Sequence, residues 1–214
     1  MNNRSGFTLA EVLITLAIIG TVAAMTIPTL MTNTNKMEFK TGFKKILSTT
    51  NQAITMSVAL NYVDFSDTTS QDSNPTTSIL GIFLSRMHVT KTAQGNSADT
   101  AVNRMFGGGA ASNYTVFFAD GMTLSFPTNS TRCRVADANG ANGNLCRGIV
   151  DVNGTRPPNI LSNCQGTAVK NATADNQGVC SPTNAGIFDQ FSIIMADQMV
   201  QPNGRCSKYV LFEN

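Results

Sequence analysis

The sequence predicts an α+β fold: one long N-terminal helix, its first half long enough to span a membrane, then a small antiparallel β-sheet with a disulfide-tied loop region. Three observations carry this expectation. Residues 7–31 form an apolar run of 25 residues with a single charge, Glu11, and a helical stripe continues beyond it to Leu60. Two strand-like segments flank Asp120-Gly121. All five cysteines lie in the last 82 residues. A helix followed by antiparallel strands is the α+β pattern.

As a helix rising about 1.5 Å per residue, the apolar run reaches roughly 37 Å, against a hydrocarbon core of about 30 Å. A carboxylate inside such a segment costs about 2.5–3.5 kcal/mol on insertion scales, so Glu11 calls for a partner. Gly20 weakens the helix, and Pro28 removes one hydrogen bond and sets up a kink. From Lys36 to Leu60 the apolar positions Phe39, Phe43, Ile46, Leu47, Ile54, Val58 and Leu60 fall mostly three, four or seven apart. Lys40, Lys44, Lys45 and Gln52 largely fill the other side. That is one helical face, and the simplest reading is a single helix from about Phe7 to Leu60.

Asp64 to Ser78 is a polar run with Pro75, read as a loop. Ile79 to Met87 reads as a helical turn or short helix. Gly107-Gly108-Gly109 is a break, and with no Lys-Ser or Lys-Thr after it this is no phosphate loop. Thr115 to Ala119 and Met122 to Phe126, joined through Asp120-Gly121, carry the strongest hairpin signal in the chain. Further strands are expected at Gly148 to Val152, Phe188 to Met195 and Tyr209 to Phe212.

The word Gly6-Phe7-Thr8-Leu9-Ala10-Glu11, preceded by Arg4 and followed by hydrophobics to Ile27-Pro28, resembles the N-terminus of the type IV pilin and type II secretion pseudopilin family. The likeness covers roughly residues 1–35. It implies a leader, 1–6, removed by a prepilin peptidase after Gly6, and N-methylation of the new Phe7 amine. It implies a filament-core helix over 7–31, its amphipathic continuation over 32–62, and a globular β domain over 63–214, with the sheet packed on the C-terminal half of the helix. Glu11 of one subunit would neutralise the Phe7 amine of a neighbour in low dielectric. The region around Pro28 would loosen on filament packing. The partners implied are copies of the chain, other pilin-like subunits, the peptidase, the inner membrane and an assembly platform. The implied location is the bacterial inner membrane before assembly and a periplasmic or cell-surface filament after it.

Two other readings compete for the same segment. A secretory signal peptide would use Arg4 as its basic end, Leu13 to Ile19 as its core and Val22-Ala23-Ala24 as its cleavage site; Glu11 and the run persisting to Met31 argue against it. A plain transmembrane anchor explains the length but not the word. Lys36, Lys40, Lys44 and Lys45 after the span would place the C-terminal part in the cytoplasm by the positive-inside rule, yet large domains translocate largely regardless of flanking charge.

Charged residues make up 13% of the 214 residues, and the net charge is +2. The surface is therefore one of neutral polar groups, and neither the charge balance nor an aromatic-interleaved basic stripe points to nucleic acid. Cys133, Cys146, Cys164, Cys180 and Cys206 contain no C-x-x-C pair and the chain has one histidine, so disulfides are favoured over zinc. Sequence neighbours suggest Cys133–Cys146 and Cys164–Cys180, each contributing about 3 kcal/mol. Asp151-Val152-Asn153-Gly154, Pro157-Pro158-Asn159 and Phe188-Asp189 look similar to the C-terminal part of some pseudopilins, where oxygen ligands hold Ca²⁺. Asp151, Asn153 and Asp189 would be such ligands here. The same word is an ordinary turn, the full alternating ligand loop is absent, and no metal or cofactor is assigned.

His88, between Met87 and Val89, is read as a surface or half-buried side chain. The words of serine hydrolases and zinc proteases do not occur, and the scattered carboxylates nominate no acid/base pair. The Asn-x-Ser/Thr words at Asn113, Asn129, Asn153 and Asn171 are expected by chance at this composition. The sequence thus favours a structural subunit, major or minor. The next reading is a minor pilin-like adhesin that binds surfaces, DNA or secreted cargo, and an anchored enzyme comes last.

Overall fold

The computed structural model describes residues 6, 8–70, 72–95, 113–135, 143–162 and 188–212. Helix α1, Leu9–Asn61, runs unbroken through Pro28. A 3₁₀ turn follows at Phe65–Asp67, then helix α2 at Ile79–Arg86. Six strands come next: β1, Val89–Gln94; β2, Asn113–Phe118; β3, Thr123–Pro127; β4, Cys146–Asp151; β5, Gln190–Ala196; and β6, Met199–Pro202. Helix α3, Gly204–Phe212, closes the described chain. The strands form one sheet in the order β1-β2-β3-β4-β5-β6, every pair antiparallel. The expected α+β fold is present.

Two compact units divide the chain after Glu38. In the first, Leu13, Ile14, Leu16, Ile18 and Ile19 are each 58–64% exposed, far more apolar surface than a water-facing helix carries. This helix has the length and composition to cross a membrane. Its threonines carry no unmet polar group into such a setting. Thr15 donates to the Val12 carbonyl at 2.9 Å, Thr21 to Ile18 at 2.9 Å, Thr26 to Val22 at 3.0 Å and Thr29 to Thr26 at 2.9 Å.

In the second unit, the α1 residues from Phe39 onward bury one face against the sheet. Phe43 stacks on Phe191 of β5 with ring centroids 4.3 Å apart and planes 11° from parallel. The buried face runs Phe39, Phe43, Ile46, Thr50, Ala53, Ile54 and Ser57. It departs from the expected stripe at the end: Val58 is half-buried and Leu60 exposed, because small Ala53 and Ser57 occupy the contact row. Asn51 fixes the helix to the far side of the sheet: its Oδ1 accepts from Val200 N at 2.9 Å, and its Nδ2 donates to the Val200 carbonyl at 2.8 Å. The sheet row Val116–Leu124–Val150–Phe191 is in register and fully buried. The neighbouring row Thr115–Ser125–Ile149–Ser192 alternates with it, and Thr115 and Ser125 share a 2.7 Å hydroxyl hydrogen bond.

Phe83 of α2 meets both Phe65 and Phe126 edge-on, each with centroids 6.1 Å apart, which ties the 3₁₀ turn to β3. Ser78 caps α2, its Oγ accepting from Gly81 N at 2.8 Å. Backbone bonds Phe65 N to Asp197 O, Asp197 N to Cys133 O and Cys133 N to Phe65 O close a three-way stitch beside the Cys133–Cys146 disulfide. The expected Cys133–Cys146 pairing is therefore present. Cys164 and Cys180 lie outside the described residues, as do Gly107-Gly108-Gly109 and the side chain of Cys206.

The strand expected at Tyr209 to Phe212 is a correction: these residues end helix α3. A four-residue apolar run does not distinguish strand from helix by period. Gly204, with φ +79°, starts a new direction after β6 ends at Pro202. Ser207 and Leu211, four apart, are buried while Phe212 is exposed, a helical pattern. The sequence reading also had no strand at β1 or β6. β1 buries only Ala93 fully and carries a register shift between Val89 and Lys91, and β6 has four residues ending in proline.

Gly81 leaves no room for a side chain, since a Cβ there would lie 2.1 Å from the Asn74 carbonyl oxygen. Gly81→Ala is expected to destabilise the fold by about 1–3 kcal/mol, the usual cost of overpacking, read as a lower midpoint in a denaturant melt.

Candidate functional site

The site is built at the first turn of α1. Thr8 occupies the N-cap position, with Leu9 the first helical residue. A helix start leaves four backbone N–H groups without partners, and in lipid no water replaces them. Thr8 and Glu11 satisfy two of these groups reciprocally. Glu11 Oε2 accepts from Thr8 N at 2.8 Å and from Thr8 Oγ1 at 2.8 Å, and Thr8 Oγ1 accepts from Glu11 N at 3.3 Å. This is a capping box, with the carboxylate at the positive end of the helix dipole.

Glu11 therefore has a local partner that the sequence reading missed, although the Thr-x-x-Glu word was the signal for it. Only Oε2 is engaged: Oε1 accepts no hydrogen bond among the described residues. The capping box fixes the rotamer and leaves one oxygen open to a cation. Gly6 is exposed. Phe7 and Arg4 lie outside the described residues, so the expected cleavage and methylation position is bounded by Gly6 and Thr8. Pro28 lies within α1, and the Pro28 carbonyl accepts from Thr32 Oγ1 at 2.9 Å.

Asp151, Asn153 and Asp189 are brought together at the end of β4 and the start of β5. Asp151 Oδ2 accepts from Gln190 Nε2 at 2.8 Å, and its Oδ1 accepts from Asn153 N at 3.2 Å. Asp189 accepts from Ile160 N at 2.6 Å and from Asn159 N at 2.7 Å, one on each oxygen. Burial pushes the Asp189 carboxyl above the usual carboxylate range, and the Ile160 and Asn159 N–H groups pull it back only in part. Asn153 Nδ2 donates to the Pro157 carbonyl at 3.1 Å. Both carboxylates thus pin the 152–160 turn, and no group of three or more His, Cys, Asp or Glu side chains that could hold a metal ion occurs among the described residues.

His88 is exposed and unconnected to either carboxylate. A carboxylate held open at the end of an exposed apolar helix is suited to pairing with a cation in an apolar setting.

A family model described as the prokaryotic N-terminal methylation motif matches residues 1–27, and the chain thus carries the type IV pilin and pseudopilin signature. No curated protein and no solved structure matches the chain. The motif supports a pilin-like or pseudopilin-like protein, and its family is structural rather than enzymatic. With one apolar N-terminal helix, it fits a single-pass inner-membrane protein.

Thr8→Val removes the hydroxyl from the capping box at nearly constant shape. Loss of a cap costs about 1 kcal/mol, so amide exchange at Glu11 and Val12 in micelles should accelerate about fivefold, with Thr8→Ser close to the parent. Asp189→Asn places an amide NH₂ against a backbone N–H donor. Its expected cost is about 1–3 kcal/mol in a denaturant melt.

Proposed function

We propose that the chain is a structural subunit of a type IV pilus or type II secretion pseudopilus, cut after Gly6 and assembled through its N-terminal helix. The observation that carries this reading is Glu11, a lone carboxylate set directly after the cleavage word in an otherwise uncharged apolar span. Cleavage exposes the Phe7 amine. It is a basic nitrogen, and N-methylation keeps it so.

Each half of the pair is expensive alone in lipid, and together they attract. At an effective dielectric of about 20, two unit charges about 4 Å apart gain roughly 4 kcal/mol. Glu11 Oε1 of one subunit meets the Phe7 amine of the next, while Oε2 stays on its own helix start. Only one axial offset between adjacent helices satisfies both charges, so the pair sets register. The apolar faces of 7–31 supply the contact area. The 32–62 segment links that core to the 63–214 domain, which forms the exterior. Pro28 deprives the Ala24 carbonyl of its helical donor, giving the helix a place to loosen as subunits pack.

In this reading the leader, 1–6, is the substrate of a prepilin peptidase, and the partners are other pilin-like subunits and the membrane assembly platform. The 63–214 domain lies outside the inner membrane, where its disulfide forms and persists.

Mass spectrometry of the mature chain from cells with an active peptidase should give N-methyl-Phe7 as the first residue. An intact Met1, or a start near Met25, overturns the proposal. Glu11→Ala should be cleaved like the parent yet yield at least about tenfold less filament, the consequence of losing only about 1.4 kcal/mol per contact. Normal filament yield from that variant refutes the charge-pairing role.

A further inference from the structure

A cavity of about 300 Å³ opens where α1, the end of α2 and the β2–β3 turn meet. This is at the lower end of the range for small-molecule sites. Its walls are largely apolar, with Ile46 and Met56 from α1, Met87 from the α2–β1 corner and Phe118 from the end of β2, and Thr49, Gln52 and His88 set among them. Its polar groups are unequal in charge. Asp120 lines it, but Lys45 Nζ lies 2.8 Å from Asp120 Oδ2 and neutralises it. Arg86 lines it too and makes no ion pair among the described residues. The Arg86 Nε donor is buried and has no hydrogen-bond acceptor among the described residues.

A buried guanidinium N–H without an acceptor is costly, although Arg86 as a whole is half-buried. An anionic acceptor relieves that cost, and the planar fork of arginine matches a carboxylate best. The remaining walls offer thioether and aromatic surface, which suits an apolar body. We propose that this cavity binds a small soluble carboxylate with a compact apolar body, its carboxylate on Arg86 and its body against Met56, Met87 and Phe118. The volume admits an acid with one aromatic ring or one branched chain.

The test uses the full chain in detergent micelles, disulfide intact, with ¹³C-methyl methionine. Phenylacetate is titrated while the Met56 and Met87 methyl signals are followed, and the buried Met195 methyl reports the fold. Phenylacetate should shift Met56 and Met87 saturably and leave Met195 in place. Phenylacetamide, of the same shape without the charge, should bind at least about tenfold more weakly, as should acetate, which lacks the body. Arg86→Met should weaken phenylacetate at least about tenfold with the Met195 signal unchanged. If Arg86→Met disturbs Met195, Met56→Trp serves instead: it fills the cavity from the solvent side, and the Met87 response should disappear. No saturable shift with phenylacetate overturns the proposal. So does equal binding of the amide, undiminished binding by a folded Arg86→Met, or a persistent Met87 response in Met56→Trp.

Discussion

Phe43 lying flat on Phe191 is the contact around which the second unit is organised. It joins the longest helix to β5, which pairs with both β4 and β6, and it lies in the layer that also holds Val116, Leu124 and Val150. Two aromatic rings 4.3 Å apart fix the distance between helix and sheet. Thr50, Ala53 and Ser57 then fill the contact row beside the larger Phe39, Ile46 and Ile54. Phe65, Phe83 and Phe126 extend the same layer in edge-on steps to the 3₁₀ turn and α2. The fold is one aromatic layer between a helical cover and a six-stranded sheet.

The first unit obeys a different constraint. Its side chains are apolar and exposed, so the helix must satisfy its own polar groups. The threonine hydroxyls do this by donating to carbonyls three or four residues back. The helix start does it through Thr8 and Glu11. A capped carboxylate is a more specific device than a bare one: its position is set by the backbone, which would lower the entropy lost on pairing with a cation.

Much of the architecture was legible in the residues. The 25-residue apolar run, the stripe from Phe39 to Ile54 and the hairpin through Asp120-Gly121 each have a period or a turn that only one element satisfies. The failures have physical causes. Tyr209 to Phe212 is too short to show a period, and its helix depends on a sheet edge already ended by Pro202. β1 exposes most of its side chains, so its alternation is nearly invisible, although Val89, Thr90 and Thr92 are β-branched. At the candidate site, Glu11 stood out by its isolation. Thr8 did not, because a threonine in an apolar run looks unremarkable until the helix start is placed. The bonds that tie Asp189 to the 159–160 backbone join residues about thirty positions apart, and sequence spacing carries no trace of such a contact.

The two margins of the sheet have a consequence for any chain held at high local concentration. An open strand presents unpaired amides and carbonyls that template further strands, the route to amyloid. β1 carries an irregular register and an outward lysine, Lys91, over the Phe117 ring, while β6 is short and ends in a residue with no amide hydrogen. Lateral strand addition is discouraged at both borders. In a filament of the kind proposed above, contact between chains would then fall to the helices rather than to the strands.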